Sequence, residues 1–301
     1  MTMKKIPLLQ RCFRQLRGSS IKVLYKLSPE LLAKIRFLAI KGYLPNLKKP
    51  QSFDEKLLWL MLYWRLPLKA VCGDKYTVRH YVETKGLGHI LPKLIGVYER
   101  IDEINFNVLP DSFALKCTHG CGFNIICKDK RELDLEDTKT KLAEWMNVNF
   151  SEKYGEIHYA GMKPRIICEE YLGDFDAANI YDYKMYCFDG KVHCTMVCSG
   201  RDKTGHNAVY CHYDREWKNR LNYDITSIKM KGDIPKPAAY EEMISAAEIL
   251  SKPFPFVRVD FYSVKGKAVL GEMTFTPAGC IDPDCTESAQ LILGALIRLP
   301  K

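Results

Sequence analysis

The chain has 301 residues, enough for a large core shared by two or three lobes. Hydrophobic residues make up 47% and charged residues 27%, a soluble globular balance, and no run of about 18 apolar residues offers a membrane span. The formal charge of +9 sits at one end: residues 1–50 carry twelve Lys/Arg against Glu30 alone, leaving the rest of the chain at −2.

Arg11, Arg14 and Arg17 interrupt any signal-peptide core, so a cytoplasmic protein is expected. Its twelve cysteines should then stay reduced, and Cys117/Cys121, Cys194/Cys198 and Cys280/Cys285 lack the two-pair CxxC spacing of a zinc ribbon. Basic residues mixed with bulky apolar ones over residues 1–41 suit an anionic membrane surface or a polyanion. Surface binding is the favoured reading for residues 1–20, and packing onto the body for residues 28–41. No nucleic-acid motif accompanies the charge, so no nucleic-acid partner is expected.

In chain order, Ser28-Pro-Glu opens a helix that ends before Gly42. Ser52-Phe-Asp-Glu55 is a capping box ahead of a second helix, and Asp74 caps a third through about Glu83. Lys75, at that helix start, is an odd place for a cation unless an anion is nearby, although taken alone a solvated lysine is the favoured reading. Strand-like runs follow at Leu91–Val97, Phe113–Cys117, Asn124–Cys127 and Arg165–Cys168, with a helix over about Thr138–Phe150. Lys116 lies on one of these runs, just before His119-Gly-Cys-Gly-Phe-Asn124. Gly120 and Gly122 would let backbone N–H groups approach a phosphate there, although a plain hairpin turn uses glycines too. Arg165-Ile-Ile-Cys-Glu-Glu-Tyr-Leu172 leads an apolar strand into Glu169, Glu170 and Leu172, a hinge that can offer backbone groups and one acid to the edge of an adenine, or is a strand end with exposed acids.

Asp182 and Lys184 share one strand face, and Asp189-Gly190 marks a hairpin to Val192–Cys198. Ser199–Arg220 reads as a polar loop in which Arg201, Lys203 and His206 could clamp an anionic substrate. Ala238–Leu250 and Ser288–Leu299 read as helices. Between them stand two strands, Phe256–Tyr262 and Ala268–Phe275. With Lys265-Gly266-Lys267 as a three-residue loop, Asp260 faces Glu272 and Arg258 faces Thr274. Facing carboxylates repel, and a hard cation such as Mg2+ relieves the repulsion while keeping phosphate oxygens as further ligands. The alternative is a solvated strand face with ordinary charges. The pattern as a whole is mixed α/β, that is α+β with antiparallel hairpins.

Six stretches together carry a resemblance: Ser52-Phe-Asp-Glu-Lys-Leu, Asp74-Lys-Tyr-Thr-Val-Arg, Lys116-x2-His-Gly-x-Gly-x-Asn-Ile-Ile, Pro164-Arg-Ile-Ile-Cys-Glu-Glu-Tyr-Leu, Asp182-Tyr-Lys-x-Tyr-Cys-Phe-Asp-Gly and Phe254-Pro-Phe-Val-Arg-Val-Asp-x-Tyr. In this order they resemble the ATP-grasp superfamily, and within it the TupA-like branch associated with teichuronopeptide and capsule-type surface polysaccharides. The resemblance covers roughly residues 45–285. It implies an ATP-grasp fold in which two α+β lobes sandwich ATP. Residues 1–50 would form an extra basic helical segment, 51–90 a helical part of the body, 91–172 a small lobe with the glycine-rich loop, and 173–301 a large lobe with the metal-binding hairpin.

The resemblance further implies that Lys75, Lys116 and Lys184 hold ATP phosphates, and that the loop from His119 through Gly120 and Gly122 to Asn124 covers them. Glu169, Glu170 and Leu172 would meet adenine. Asp260, Glu272 and Thr274 would bind Mg2+, with Mn2+ as the alternative, and Arg258 would steady charge on the transferred phosphoryl group. Thr274 stands where the superfamily has Asn, and Cys121 where this branch is expected to have Ser. The implied activity is an ATP-dependent carboxylate–amine ligation through an acyl phosphate. The acid would be a uronic-acid or glutamyl carboxylate on a sugar or polymer, and the amine an amino acid or amino sugar. A surface-polysaccharide glycosyltransferase is the alternative, although Asp174-Phe-Asp176 lacks the strand context of its metal motif; a polyanion-binding scaffold without catalysis is a third.

Overall fold

The computed structural model describes residues 18–173, 181–199, 209–229 and 232–300. Two antiparallel sheets organise them. Leu94–Tyr98 (β1), Phe113–Cys117 (β2), Asn124–Cys127 (β3) and Ile166–Glu170 (β4) form the first, in the order β1-β4-β2-β3. Asp182–Phe188 (β5), Lys191–Ser199 (β6), Val209–Asp214 (β7), Arg220–Leu221 (β8), Phe256–Val264 (β9) and Lys267–Thr274 (β10) form the second, in the order β10-β9-β5-β6-β7-β8.

Strand alternation gives each sheet one apolar and one mixed face. In the first sheet Phe113, Leu115, Cys117, Ile166 and Cys168 pack on Leu142 of the helix Leu135–Met146 (α6) and on Phe150 of the short helix Phe150–Tyr154 (α7). That leaves Ala114, Lys116, Ile167 and Glu169 on the opposite face. In the second sheet Met185, Cys187, Val257, Val259 and Phe261 pack under Met243, Ala247 and Leu250 of the helix Tyr240–Ser251 (α8). Lys184, Tyr186, Arg258 and Asp260 then take the other face. The buried thiols at Cys117, Cys127, Cys168, Cys187, Cys194 and Cys198 sit where small apolar groups are needed, as their strand-like surroundings predict.

The N-terminal helices cap the far end of that second face. Gly18–Leu27 (α1) leads into Pro29–Lys41 (α2), which has Ser28 as its cap and left-handed Gly42 as its stop. Leu32, Ala33 and Phe37 of α2 are buried, so residues 28–41 pack onto the body as expected. Phe53–Leu62 (α3) carries the expected Ser52/Glu55 capping box, and Phe53 meets Phe256 edge-on at 5.1 Å. Pro67–Gly73 (α4) and Thr77–Thr84 (α5) follow, and Asp74 accepts from the amides of Tyr76 and Thr77 at 2.8 and 2.9 Å.

Ser199–Arg220 is expected as loop, and the structure corrects this: β7 lies within it and β8 begins at its last residue. The run Val-Tyr-Cys-His-Tyr is short and flanked by polar residues, and it becomes a strand because β6 supplies its ladder partners. Among the described residues no helix is long and apolar enough to cross a membrane.

Candidate active site

The mixed faces of both sheets line one cleft of about 480 Å³. From the first sheet and its surroundings come Lys75, Lys116, Cys121, Gly122, Asn124, Glu170 and Leu172. From the second come Asp182, Lys184, Arg258, Asp260 and Glu272.

The β9–β10 hairpin sets the second wall, and its turn differs from the expected one. Lys265 and Gly266, with φ of +51° and +75°, make a two-residue turn that puts Val264 opposite Lys267. Such a turn alone would throw the acids onto opposite faces. A bulge at Gly271, between Leu270 and Glu272, inserts one residue into β10 and restores the register. Glu272 therefore does face Asp260, and Thr274 faces Arg258.

These groups form a dense ion cluster. The Arg258 guanidinium donates through Nε and Nη2 to the two Asp260 oxygens at 2.7 and 2.6 Å, and Nη2 also reaches Glu272 at 3.4 Å and Thr274 Oγ1 at 3.2 Å. The Thr274 hydroxyl donates to Glu272 at 2.9 Å. Lys184 Nζ bridges Asp260 at 2.6 Å and Asp182 at 2.5 Å. Burial pushes the Asp260 carboxyl up, but Arg258 and Lys184 outweigh it and hold the group below the usual carboxylate range. Burial would also lower Lys184, yet Asp260 and Asp182 keep it cationic. At Asp182 burial wins and the carboxyl is raised; its buried Oδ1 has no hydrogen-bond partner among the described residues.

Asp260 and Glu272 face each other as hard oxygen donors of the kind Mg2+ takes, with Arg258 Nη2 now reaching both, and among the described residues no three His, Cys, Asp or Glu side chains converge into a closed cage. Two carboxylates completed by ligand oxygens is the usual way proteins hold Mg2+ beside a phosphate. Asp260 is 2% exposed while the Glu272 side chain is 33% exposed, so Glu272 is the more open of the two.

On the first wall, the Lys75 backbone N–H donates to Thr118 O at 3.3 Å and its ammonium reaches Gly120 O. Gly122 takes φ +77° with open space around it. Gly120 is required for a different reason from the one expected: a Cβ there would lie 2.5 Å from Phe150 and 2.9 Å from Phe123. His119, expected to cover phosphates, instead turns away from the cleft. It is buried against Phe123, with Nε2 3.1 Å from Trp145 O, and burial holds its ring neutral.

Glu169 also differs from its expected place. It does not line the cleft but gives one oxygen to Lys116 Nζ at 2.7 Å and the other to Arg79 Nη1 at 3.0 Å. Glu170 and Leu172 do line it. Arg201, Lys203 and His206 lie outside the described residues, as do residues 1–17 of the basic segment.

Three features of the site escape the sequence motifs. Asp224, Asp282 and Asp284 line the same cleft. Glu156, accepting from the Thr276 hydroxyl, is a half-buried carboxyl raised to about 7 by desolvation. Arg79 stands four residues after Lys75, a one-turn spacing that could have revealed it. No sequence signal marks Glu156, whose surroundings come from distant segments.

A family model described as TupA-like ATPgrasp matches residues 55–298. Among solved structures, a D-alanine–D-alanine ligase from Bacillus anthracis complexed with ATP shares 15% identity, over 68% of this chain and 55% of its own, at a TM-score of 0.41. A D-alanine–D-alanine ligase from Helicobacter pylori shares 13% over 83% and 70%, at 0.41. A phosphoribosylglycinamide synthetase from Anaerococcus prevotii shares 14% over 74% and 49%, at 0.37. The chain thus spans about half the length of the first and third of these. No curated protein matches.

Proposed function

Since the chain belongs to the TupA-like ATP-grasp family, we propose that it uses ATP to join a carboxylate to an amine. The carboxylate oxygen attacks the γ-phosphorus, ADP leaves, and an acyl phosphate forms. The amine nitrogen then attacks the acyl carbon, giving an amide and inorganic phosphate. Such a reaction needs positioned charge rather than a covalent nucleophile.

The observation that carries this reading is the meeting of two walls in one cleft: Lys75 and Lys116 on one side, the facing Asp260 and Glu272 with Arg258 on the other. Lys75, Lys116 and Lys184 present ammonium groups to phosphate oxygens, with Gly122 and Asn124 beside them. Glu170 and Leu172 line the place for adenine. Asp260 and Glu272, supported by the Thr274 hydroxyl, would hold Mg2+, or Mn2+ in its place, which when bound neutralises phosphate charge. Arg258 stays cationic beside Asp260 and offers a guanidinium to the transferred phosphoryl group. Asp224, Asp282 and Asp284 suit the amine substrate better than a second anion.

The finer reading places the reaction in surface-polysaccharide assembly in the cytoplasm, with a uronic-acid or glutamyl carboxylate as the acid and an amino acid or amino sugar as the amine. Resemblance to the branch motifs supports it. The basic, apolar residues 1–20 support contact with an anionic inner membrane face.

Hydroxylamine tests the chemistry without knowledge of the amine, because it captures an acyl phosphate as a hydroxamate. With ATP, Mg2+ and a panel of uronic and glutamyl carboxylates, hydroxamate and ADP should appear in equal amounts for at least one acid. ADP formed without hydroxamate, or no ADP with any acid, would overturn the ligase reading.

A further inference from the structure

Glu169 is 5% exposed and has both oxygens engaged by cations from different segments. Lys116 comes from β2 and lines the cleft; Arg79 comes from α5 and does not. The second Arg79 nitrogen, Nη2, donates to Pro92 O at 2.7 Å, just ahead of β1. One turn upstream of Arg79, Lys75 is fixed to the glycine loop through Thr118 and Gly120. The same stretch of chain therefore holds one cleft lysine directly and reaches the other through a shared carboxylate.

A buried carboxylate with one cationic partner grips it strongly, because leaving either charge unpaired is costly. Shared between two cations, it makes a weaker claim on each. We infer that Arg79 is a positioning residue for nucleotide binding: by occupying one oxygen of Glu169 it keeps Lys116 available to a polyphosphate in the cleft. This rests on the reading that the cleft binds ATP. Glu169 then acts on the nucleotide through Lys116, and Glu170 to Leu172 are left to recognise the base.

ADP with Mg2+ is the probe, and calorimetric affinity for the full-length chain is the readout, with thermal melts confirming that each variant is folded. Arg79→Ala should weaken ADP binding about tenfold, and Arg79→Lys, which keeps the charge but loses the fork to Pro92, by less than threefold. The deciding comparison is made in a Glu169→Gln background. There no carboxylate captures Lys116, so adding Arg79→Ala should change affinity by less than twofold. An equal tenfold loss in both backgrounds would make Arg79 a structural staple between α5 and Pro92 and overturn the inference. So would wild-type affinity in Arg79→Ala. Absence of ADP binding to the wild-type chain would instead remove the nucleotide reading, and the inference with it.

Discussion

At the scale of single residues, Glu156 shows how a fold holds an unfavourable group in place. Its carboxyl is raised from 4.5 to about 7 by desolvation, which the Thr276 hydroxyl and Arg36 only partly offset. The folded chain therefore binds this proton more tightly than the unfolded chain. The stability tied to it is complete below about pH 4.5 and is lost as pH rises through about 7. Glu156→Gln removes the titration, so urea unfolding should find the variant gaining on the wild type between pH 5 and pH 8. The gain should be on the order of 2–3 kcal/mol. A difference between variant and wild type that stays constant across that range would show that Glu156 does not titrate there.

Legibility at this scale followed chemistry that is local in sequence. Arg258 and Asp260 stand two apart on one strand, and Glu272 and Thr274 two apart on the next, so their shared face could be read from alternation. The places of His119 and Glu169 could not. His119 turns into an aromatic pocket built from Phe123 and Trp145, and Glu169 is claimed by Arg79 from a helix ninety residues earlier. Both are decided by long-range packing that a motif does not encode.

At the scale of elements, the β9–β10 hairpin reaches the expected pairing by an unexpected route. Turn and bulge compensate, and Lys265-Gly266-Lys267 alone does not say which loop length forms. The short helix α4 and the strand β7 escaped notice because neither has a long periodic stretch, and β7 owes its form to its neighbour β6. The terminal helix Glu287–Leu296 (α9) was legible in outline from its apolar spacing. The reason for its glycine was not.

A Cβ on Gly294 would lie on the Gln51 carbonyl and 2.9 Å from the Phe53 amide nitrogen, so α9 rests directly on the start of α3. Gln290 of α9 also accepts from the Asp54 amide at 2.9 Å. In an isolated helix Gly→Ala would stabilise by about 1 kcal/mol. Backbone contact should reverse the sign here: Gly294→Ala is expected to destabilise the protein by about 1–3 kcal/mol in urea unfolding. A variant more stable than the parent would show that α9 can move off α3 without loss.

At the scale of the whole molecule, two sheets each bury one face in their own core and leave the other to a common cleft. Separate hydrophobic clusters under the two sheets make each a stable wall. The helices α2 and α3 close the far end of the second sheet. Lys41 of α2 pairs with Asp54 at 2.8 Å, and Asp54 accepts from the backbone of Asp282, whose side chain lines the cleft. The N-terminal helix α2 is thus joined to the cleft wall, which the charge pattern of the first fifty residues did not disclose.

The central claim is that one ligand touches both walls at once. Amide hydrogen exchange with and without ADP and Mg2+ tests it most directly. A ligand bridging both walls should slow exchange in both stretches, residues 116–124 of the first wall and 258–274 of the second, at the same ADP concentration. Protection confined to one wall, or absent from both under saturating ADP, would contradict it.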